Sequence, residues 1–377
     1  MKSILFHIIG IRFLGALTAS VLMSACTAPA FHARTLPPLL GQAQHEIADV
    51  DLLGLSSEMT EFIQQHVPES TSPRQKAFAL TYATLDPYLM NFSYDPSLTL
   101  IAEETFRKKT GNCLSFSSMF IAMARASGLE AWYQEVEIPT QWNAVNDTLL
   151  VSLHVNAVVA DRYSEFQVDI SRPKKNSLRR VRKISDREAR AQYYNNMGGD
   201  ALIENDLAMA YAYFAKALQT KPDLAFVWSN LGVTYKRNDQ PEDAKLAYTT
   251  ALEQDPDLPT ALNNLYSILT EQGNVVEAQA VQRQVERNRR KNPYYLHYQS
   301  VLALDEQRYE DAIELLGRAI KLDEEEYRFH FALARSLYLS GEKNKAGKSL
   351  AQAKLLAPSN AEIADITLPE LSIENDF

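Results

Sequence analysis

The sequence predicts an α+β N-terminal domain followed by an all-α solenoid of helical repeats. Three observations predict it. The segment between Asn112 and Gly128 is apolar enough on most faces to form a buried helix. Two segments of alternating polarity follow, around His154 and Asp169, and read as paired strands. Farther on, alanine recurs at 210, 244, 278, 312 and 346, every 34 residues. The chain has 377 residues, enough for two or three domains. Apolar residues make up 46% and charged residues 23%, which excludes wholesale disorder. The net charge of −9 argues against a protein built to hold nucleic acid. Two cysteines, Cys26 and Cys113, exclude a disulfide scaffold and a four-cysteine zinc site.

The first element is an export signal. Residues 1–25 carry Lys2 and Arg12, no acidic residue, an apolar run from Phe13 to Met23, and then Ser24 and Ala25. This is the basic, apolar, small-residue order of a secretory signal, and the apolar run is too short to span a bilayer comfortably. Leu22-Met23-Ser24-Ala25-Cys26 resembles the lipobox of bacterial lipoproteins, with Met23 in the aliphatic slot. The resemblance implies cleavage before Cys26 and diacylation of its thiol, and Thr27 in place of aspartate implies the outer membrane. A plain signal peptide cut nearby is the alternative. Without residues 1–25 the chain has 36 basic and 47 acidic residues, and Cys113 is its one free thiol. Residues 26–44 contain prolines and no helical period, and read as a tether.

Helical segments follow. Ser56 and Ser57 start one, which Pro68 stops. Ser72-Pro73 starts a second, running to about Asn91, and Asp95-Pro96 opens a third. Asn112 then caps the buried helix and Gly128 ends it. Cys113 therefore sits in the first turn, where unpaired N–H groups and the helix dipole favour a thiolate and can also hold an oxyanion.

A thiolate needs an imidazole. His32, His45 and His66 precede the thiol in tether or helical sequence, and His297 and His330 belong to the repeats. His154 lies in a strand that places Val155 and Ala157 on one face and His154 and Asn156 on the other. Centring the hairpin between Arg162 and Tyr163 sets Asn156 opposite Asp169. His154 and Asp169 are then diagonal neighbours on one face, roughly 7–8 Å apart at the backbone. A slip of one residue would separate them to opposite faces.

Gly111-Asn112-Cys113, then Ala124-Arg125-Ala126-Ser127-Gly128-Leu129, then His154 and Val168-Asp169, resemble the core of the transglutaminase-like superfamily, the papain-related thiol fold. The resemblance covers about residues 75–171. It implies Cys113 as nucleophile, His154 as general base and acid, and Asp169 as the group that orients His154. The chain departs from the family with Asn156 where tryptophan is common and Ile170 where proline is common. No upstream glutamine or tryptophan completes an oxyanion hole. No cluster has metal-ligand spacing and no glycine-rich phosphate loop occurs, so no cofactor is expected.

Arg172 to Lys183 holds seven basic residues in 12. It reads either as a solvated linker, which can pair with the acidic repeats, or as a contact for lipid phosphate or an acidic partner. One repeat then runs Tyr194, Met197-Gly198, Ala201, Ala210, Phe214, Ala217, Pro222, and the next Trp228, Leu231-Gly232, Tyr235, Ala244, Tyr248, Ala251, Pro256. This is similar to the tetratricopeptide repeat. Five repeats fit, with Tyr266 in the glycine slot of the third and Gln282 in its large-residue slot.

The predicted organisation is a lipoprotein signal peptide at 1–25, a tether at 26–44, a transglutaminase-like domain at 45–171, a basic linker at 172–190, five repeats at 191–360 and an acidic tail at 361–377. The function these parts imply is an envelope lipoprotein facing the periplasm. Its thiol domain would be an amide hydrolase, peptidase or acyltransferase. Its solenoid would bind a protein or peptide partner, the lipid anchor would hold the membrane, and nucleic acid would play no part. The alternative is a non-catalytic adaptor lipoprotein that scaffolds an envelope complex.

Overall fold

The computed structural model describes residues 35–69, 71–136, 154–160, 165–170 and 181–357. Cys26, the expected turn at 161–164, the basic stretch 172–180 and the acidic tail lie outside the described residues. Helix α1 (Ser57–His66) starts where the Ser56 side chain accepts the Met59 N–H. Helix α2 (Pro73–Leu85) starts on a capping box between Ser72 and Gln75. It ends short of the expected Asn91 because Pro87 drives Asp86 out of the helical region, to ψ 127°. Nor does Asp95-Pro96 open a helix. Its carboxylate accepts the Ser97 N–H at 2.9 Å and forms a turn. Strand β1 (Ser93–Tyr94) precedes that turn, and helix α3 (Ala102–Lys108) follows it.

Strand β2 (Thr110–Gly111) pairs with β1 in parallel, Tyr94 beside Gly111. Gly111 has φ +151°, and a Cβ there would stand 2.7 Å from the Ser115 Cβ, so glycine is required. Helix α4 (Cys113–Ala126) is buried continuously from Leu114 to Ala124. It packs on a sheet built from β3 (Glu130–Val136), β4 (His154–Ala160), β5 (Glu165–Val168) and β6 (Val181–Ile184), in the order β5-β4-β3-β6, all neighbours antiparallel. Phe116, Phe120 and Met123 of α4 share one core with Tyr133, Val155, Ala157, Val159 and Val168.

The stretch expected to be a basic linker thus contributes an edge strand. Ile184 turns into the core, while the charges find partners on the sheet: Arg182 bonds Glu135 at 2.9 Å and the Lys183 ammonium lies 3.8 Å above the Trp132 ring.

The helical half begins at α5 (Asp186–Ile203) and α6 (Leu207–Thr220). Four pairs follow, the first three being α7 (Ala225–Arg237) with α8 (Pro241–Gln254), α9 (Pro259–Glu271) with α10 (Val275–Arg289), and α11 (Pro293–Asp305) with α12 (Tyr309–Leu322). The last is α13 (Tyr327–Leu339) with α14 (Lys343–Leu356). The 34-residue alanines explain the pairing, since Ala210, Ala244, Ala312 and Ala346 are fully buried and Ala278 nearly so. Where the glycine slot holds Tyr266, the large-residue slot holds an exposed Gln282, and α10 buries only Ala278 and Val285.

Residues 35–44 are not a free tether. Pro37 offers its carbonyl to the hydroxyls of Tyr211 and Tyr235. Gln240 takes the Leu40 N–H at 2.9 Å and donates to the Pro38 carbonyl at 3.1 Å, and Leu39 is buried. Farther along, Val50 donates to the Tyr194 hydroxyl and Asp49 pairs with Lys216. Pro37 and Pro38 carry no N–H to close a local turn, and the carbonyls of Pro37, Pro38 and Leu40 meet side-chain donors of the repeats.

Gly198 lies under the Phe214 ring, with an added Cβ 2.7 Å from its edge. In an open helix Gly→Ala stabilises by up to about 1 kcal/mol. Here Gly198→Ala should destabilise by about 1–3 kcal/mol through overpacking. Urea unfolding measures it, and a neutral or stabilising result would show that Phe214 moves aside freely.

Candidate active site

Cys113 is the first residue of α4 and is partly exposed. Its seat is built by Asn112. The Asn112 carbonyl oxygen of the side chain accepts the Ser115 N–H at 3.0 Å, and its amide donates to the Thr99 hydroxyl at 2.7 Å. The backbone completes the frame. Asn112 donates to the Leu98 carbonyl, and Leu100 donates to the Ser115 hydroxyl. The Cys113 N–H has no acceptor among the described residues. It therefore points a donor out of the helix end beside the sulfur, where negative charge is favoured.

His154 opens β4 and is 7% exposed. Its Nε2–H donates to Asp169 Oδ2 at 2.6 Å, and both side chains are 8% exposed. The register produces this contact. Ala157 pairs with Val168 and Ala160 with Glu165, which carries Asn156 opposite Asp169, as the hairpin spacing predicts. Asn156 is buried and donates to the same Oδ2 at 3.4 Å, while its own Oδ1 has no hydrogen-bond partner among the described residues. With Nε2 held by the carboxylate, Nδ1 is the ring nitrogen that can serve the sulfur. Burial works against charge on His154, but the Asp169 hydrogen bond and then the Cys113 sulfur outweigh it, and the imidazole is pushed up to about 9. The structure thus gathers Cys113, His154 and Asp169 at the end of α4. Among the described residues no cluster of three or more His, Cys, Asp or Glu could hold a metal ion.

Sequence reasoning missed two participants. Ser117 donates to the Val155 carbonyl at 3.2 Å and so ties α4 to the strand beside His154. Tyr94 is the other. Its phenol is pushed up by burial, then by the charges of Cys113 and Asp169. Nothing in Phe92-Ser-Tyr-Asp-Pro96 signals this, because a two-residue parallel strand pair brings Tyr94 to Gly111.

The comparisons agree with the geometry. The model of the transglutaminase-like superfamily matches residues 61–168, a span that runs from α1 to β5 and holds both Cys113 and His154. Two tetratricopeptide-repeat models match residues 225–258 and 303–367. The chain carries a transglutaminase-like domain followed by tetratricopeptide repeats. Such repeats generally mediate protein or peptide binding.

No curated protein matches the chain. Among solved structures, Pseudomonas aeruginosa PilF is 20% identical over 48% of this chain and 83% of its own, with a TM-score of 0.30. MamA from Desulfovibrio magneticus RS-1 is 16% identical over 46% of this chain and 96% of its own, with a TM-score of 0.26. YrrB, a tetratricopeptide protein with an unusual peptide-binding site, is 19% identical over 46% of this chain and 90% of its own, with a TM-score of 0.25.

His154 should titrate near 9, and Asp169→Asn should bring it down toward the ordinary 6.5. The folded value lies above the unfolded one. The stability this pair supplies is therefore complete below about 6.5 and is lost as pH rises through about 9. NMR titration of the ring protons, with urea midpoints across that window, checks both statements. A wild-type ring titrating at or below 6.5 would contradict them.

Proposed function

We propose that this chain is a bacterial envelope lipoprotein whose transglutaminase-like domain performs thiol-dependent acyl transfer, with its repeats holding a protein partner or substrate. The observation that carries the chemistry is the 2.6 Å His154–Asp169 bond beside a thiol at a helix N-terminus. A buried imidazole with its far nitrogen fixed on a carboxylate is oriented to exchange a proton with sulfur.

In the resting pair His154 already carries the proton of the Cys113 thiol on Nδ1, so the sulfur attacks as a thiolate. The sulfur forms a bond to an amide carbonyl carbon, and the carbonyl electron pair moves onto oxygen. The Cys113 N–H lies where it can stabilise that oxyanion. As the C–N bond breaks, His154 returns its proton to the leaving amine, which leaves a thioester on Cys113. Water or a second amine then attacks, with His154 taking its proton as the sulfur leaves as a thiolate. Water as acceptor makes the enzyme an amide hydrolase, and an amine makes it an acyltransferase. Asp169 holds the ring and balances its charge throughout.

Envelope placement rests on the sequence of residues 1–26, with its basic, apolar and small-residue order ending at Cys26. Among the described residues no helix is long and apolar enough to cross a membrane, so the proposed attachment is through lipid on Cys26.

The test uses the full chain with Cys26→Ser, so that Cys113 is the only thiol. p-Nitrophenyl acetate is the acyl donor. Wild-type His154 should release p-nitrophenol with acetyl carried on Cys113, Cys113→Ala should abolish this, and His154→Ala should slow it about 10²–10⁴-fold. Iodoacetamide alkylation at neutral pH should fall in parallel in His154→Ala. A thiol that reacts equally with and without His154 would overturn the catalytic reading and leave the adaptor role.

A further inference from the structure

We infer that Tyr94 is a catalytic residue of this site, its hydroxyl donating to the carbonyl oxygen of the substrate as the sulfur adds. The inference rests on the acyl-transfer reading above and supplies the second oxyanion donor that the sequence lacks.

The placement comes from the backbone. β1 lies parallel to β2 with Tyr94 beside Gly111, two residues before Cys113. Bonds on both sides fix that register: Ser93 donates to the Lys109 carbonyl at 2.9 Å and Asp95 to the Gly111 carbonyl at 3.1 Å. The chain leaving Tyr94 then wraps the α4 N-terminus. It offers the Leu98 carbonyl to the Asn112 N–H and the Thr99 hydroxyl to the Asn112 side chain, and its Leu100 N–H donates to the Ser115 hydroxyl. Tyr94 is therefore anchored to the turn that presents the thiol. Gly111 carries no side chain between the two.

Exposure and charge point the same way. Tyr94 is 46% exposed and Cys113 is partly exposed, so a ligand from solvent can meet both. The register sets Tyr94 beside Gly111, two residues before Cys113, and the charges of Cys113 and Asp169 act on its phenol. Its upward shift keeps the hydroxyl protonated at neutral pH, as a donor must be. The Cys113 N–H has no acceptor among the described residues, and one backbone donor with one side-chain donor is a sufficient oxyanion hole.

The test separates addition to a carbonyl from reaction at sulfur alone. Acetylation of Cys113 by p-nitrophenyl acetate passes through an oxyanion, whereas alkylation by iodoacetamide does not. Both are measured on the full chain with Cys26→Ser, with Tyr94 intact, as Tyr94→Phe and as Tyr94→Gln. Tyr94→Phe should slow acetylation at least tenfold, toward the 10²–10³-fold seen for enclosed donors, and leave alkylation unchanged. Tyr94→Gln, which restores a donor, should recover part of the loss. Unchanged acetylation in Tyr94→Phe would overturn the inference. Equal slowing of both reactions would overturn it too, because Tyr94 would then shape the thiol rather than bind oxygen. Acetylation that survives Cys113→Ala would instead remove the acyl-transfer reading itself.

Discussion

The burial of α4 is the constraint on which the site depends. A helix enclosed from Leu114 to Ala124 must satisfy every polar group it carries, and an unpaired buried hydroxyl costs about 1–3 kcal/mol. Its serines meet this demand by bonding outward to different neighbours. The Ser115 hydroxyl engages Leu98 and Leu100, Ser117 engages Val155 on β4, and Ser118 receives the Tyr133 hydroxyl from β3. The same bonds that make the helix tolerable in the core therefore fix Cys113 against the strand that begins with His154. The placement of Cys113 against His154 is a by-product of polar satisfaction along a buried helix.

Helix α5 makes the two halves of the chain share material. Ala189 belongs to the same core as α4, and Gln192 bonds Glu135 on β3 at 2.7 Å. Arg125, at the end of α4, meets Asp186 in a two-pronged pair at 2.6 and 2.9 Å. Both partners are substantially exposed, so the pair contributes geometry more than stability. Toward its other end α5 becomes the first helix of the repeats, with Gly198 under Phe214. A partner seated on the first repeats is thus held in a fixed relation to the thiol.

The repeats were legible because their signal is redundant: helices α6, α8, α10, α12 and α14 begin 34 residues apart, each carrying its two small buried residues. Cys113, His154 and Asp169 were legible for another reason. The helix cap and the strand alternation are local patterns, a hairpin centred between Arg162 and Tyr163 sets His154 and Asp169 on one face, and the family resemblance supplies their roles. Contacts that close over long separations were not legible. Pro37 meets Tyr235 across 198 residues, Tyr94 comes beside Gly111 through a two-residue strand pair, and β6 turns a basic run into a sheet edge. In each case the short segment carries no pattern of its own. Its conformation is decided by a partner that sequence spacing does not identify.

The N-terminal segment also sets how the molecule carries load. A pull applied ahead of residue 35 first meets Pro37, Pro38 and Leu40, whose bonds run to Tyr211, Tyr235, Asn238 and Gln240. The force passes into α6, α7 and the turn before α8, and it reaches the strands bearing His154 and Asp169 only after these are breached. An attachment at the N-terminus would therefore tug on the repeats and leave the alignment of sulfur and imidazole undisturbed.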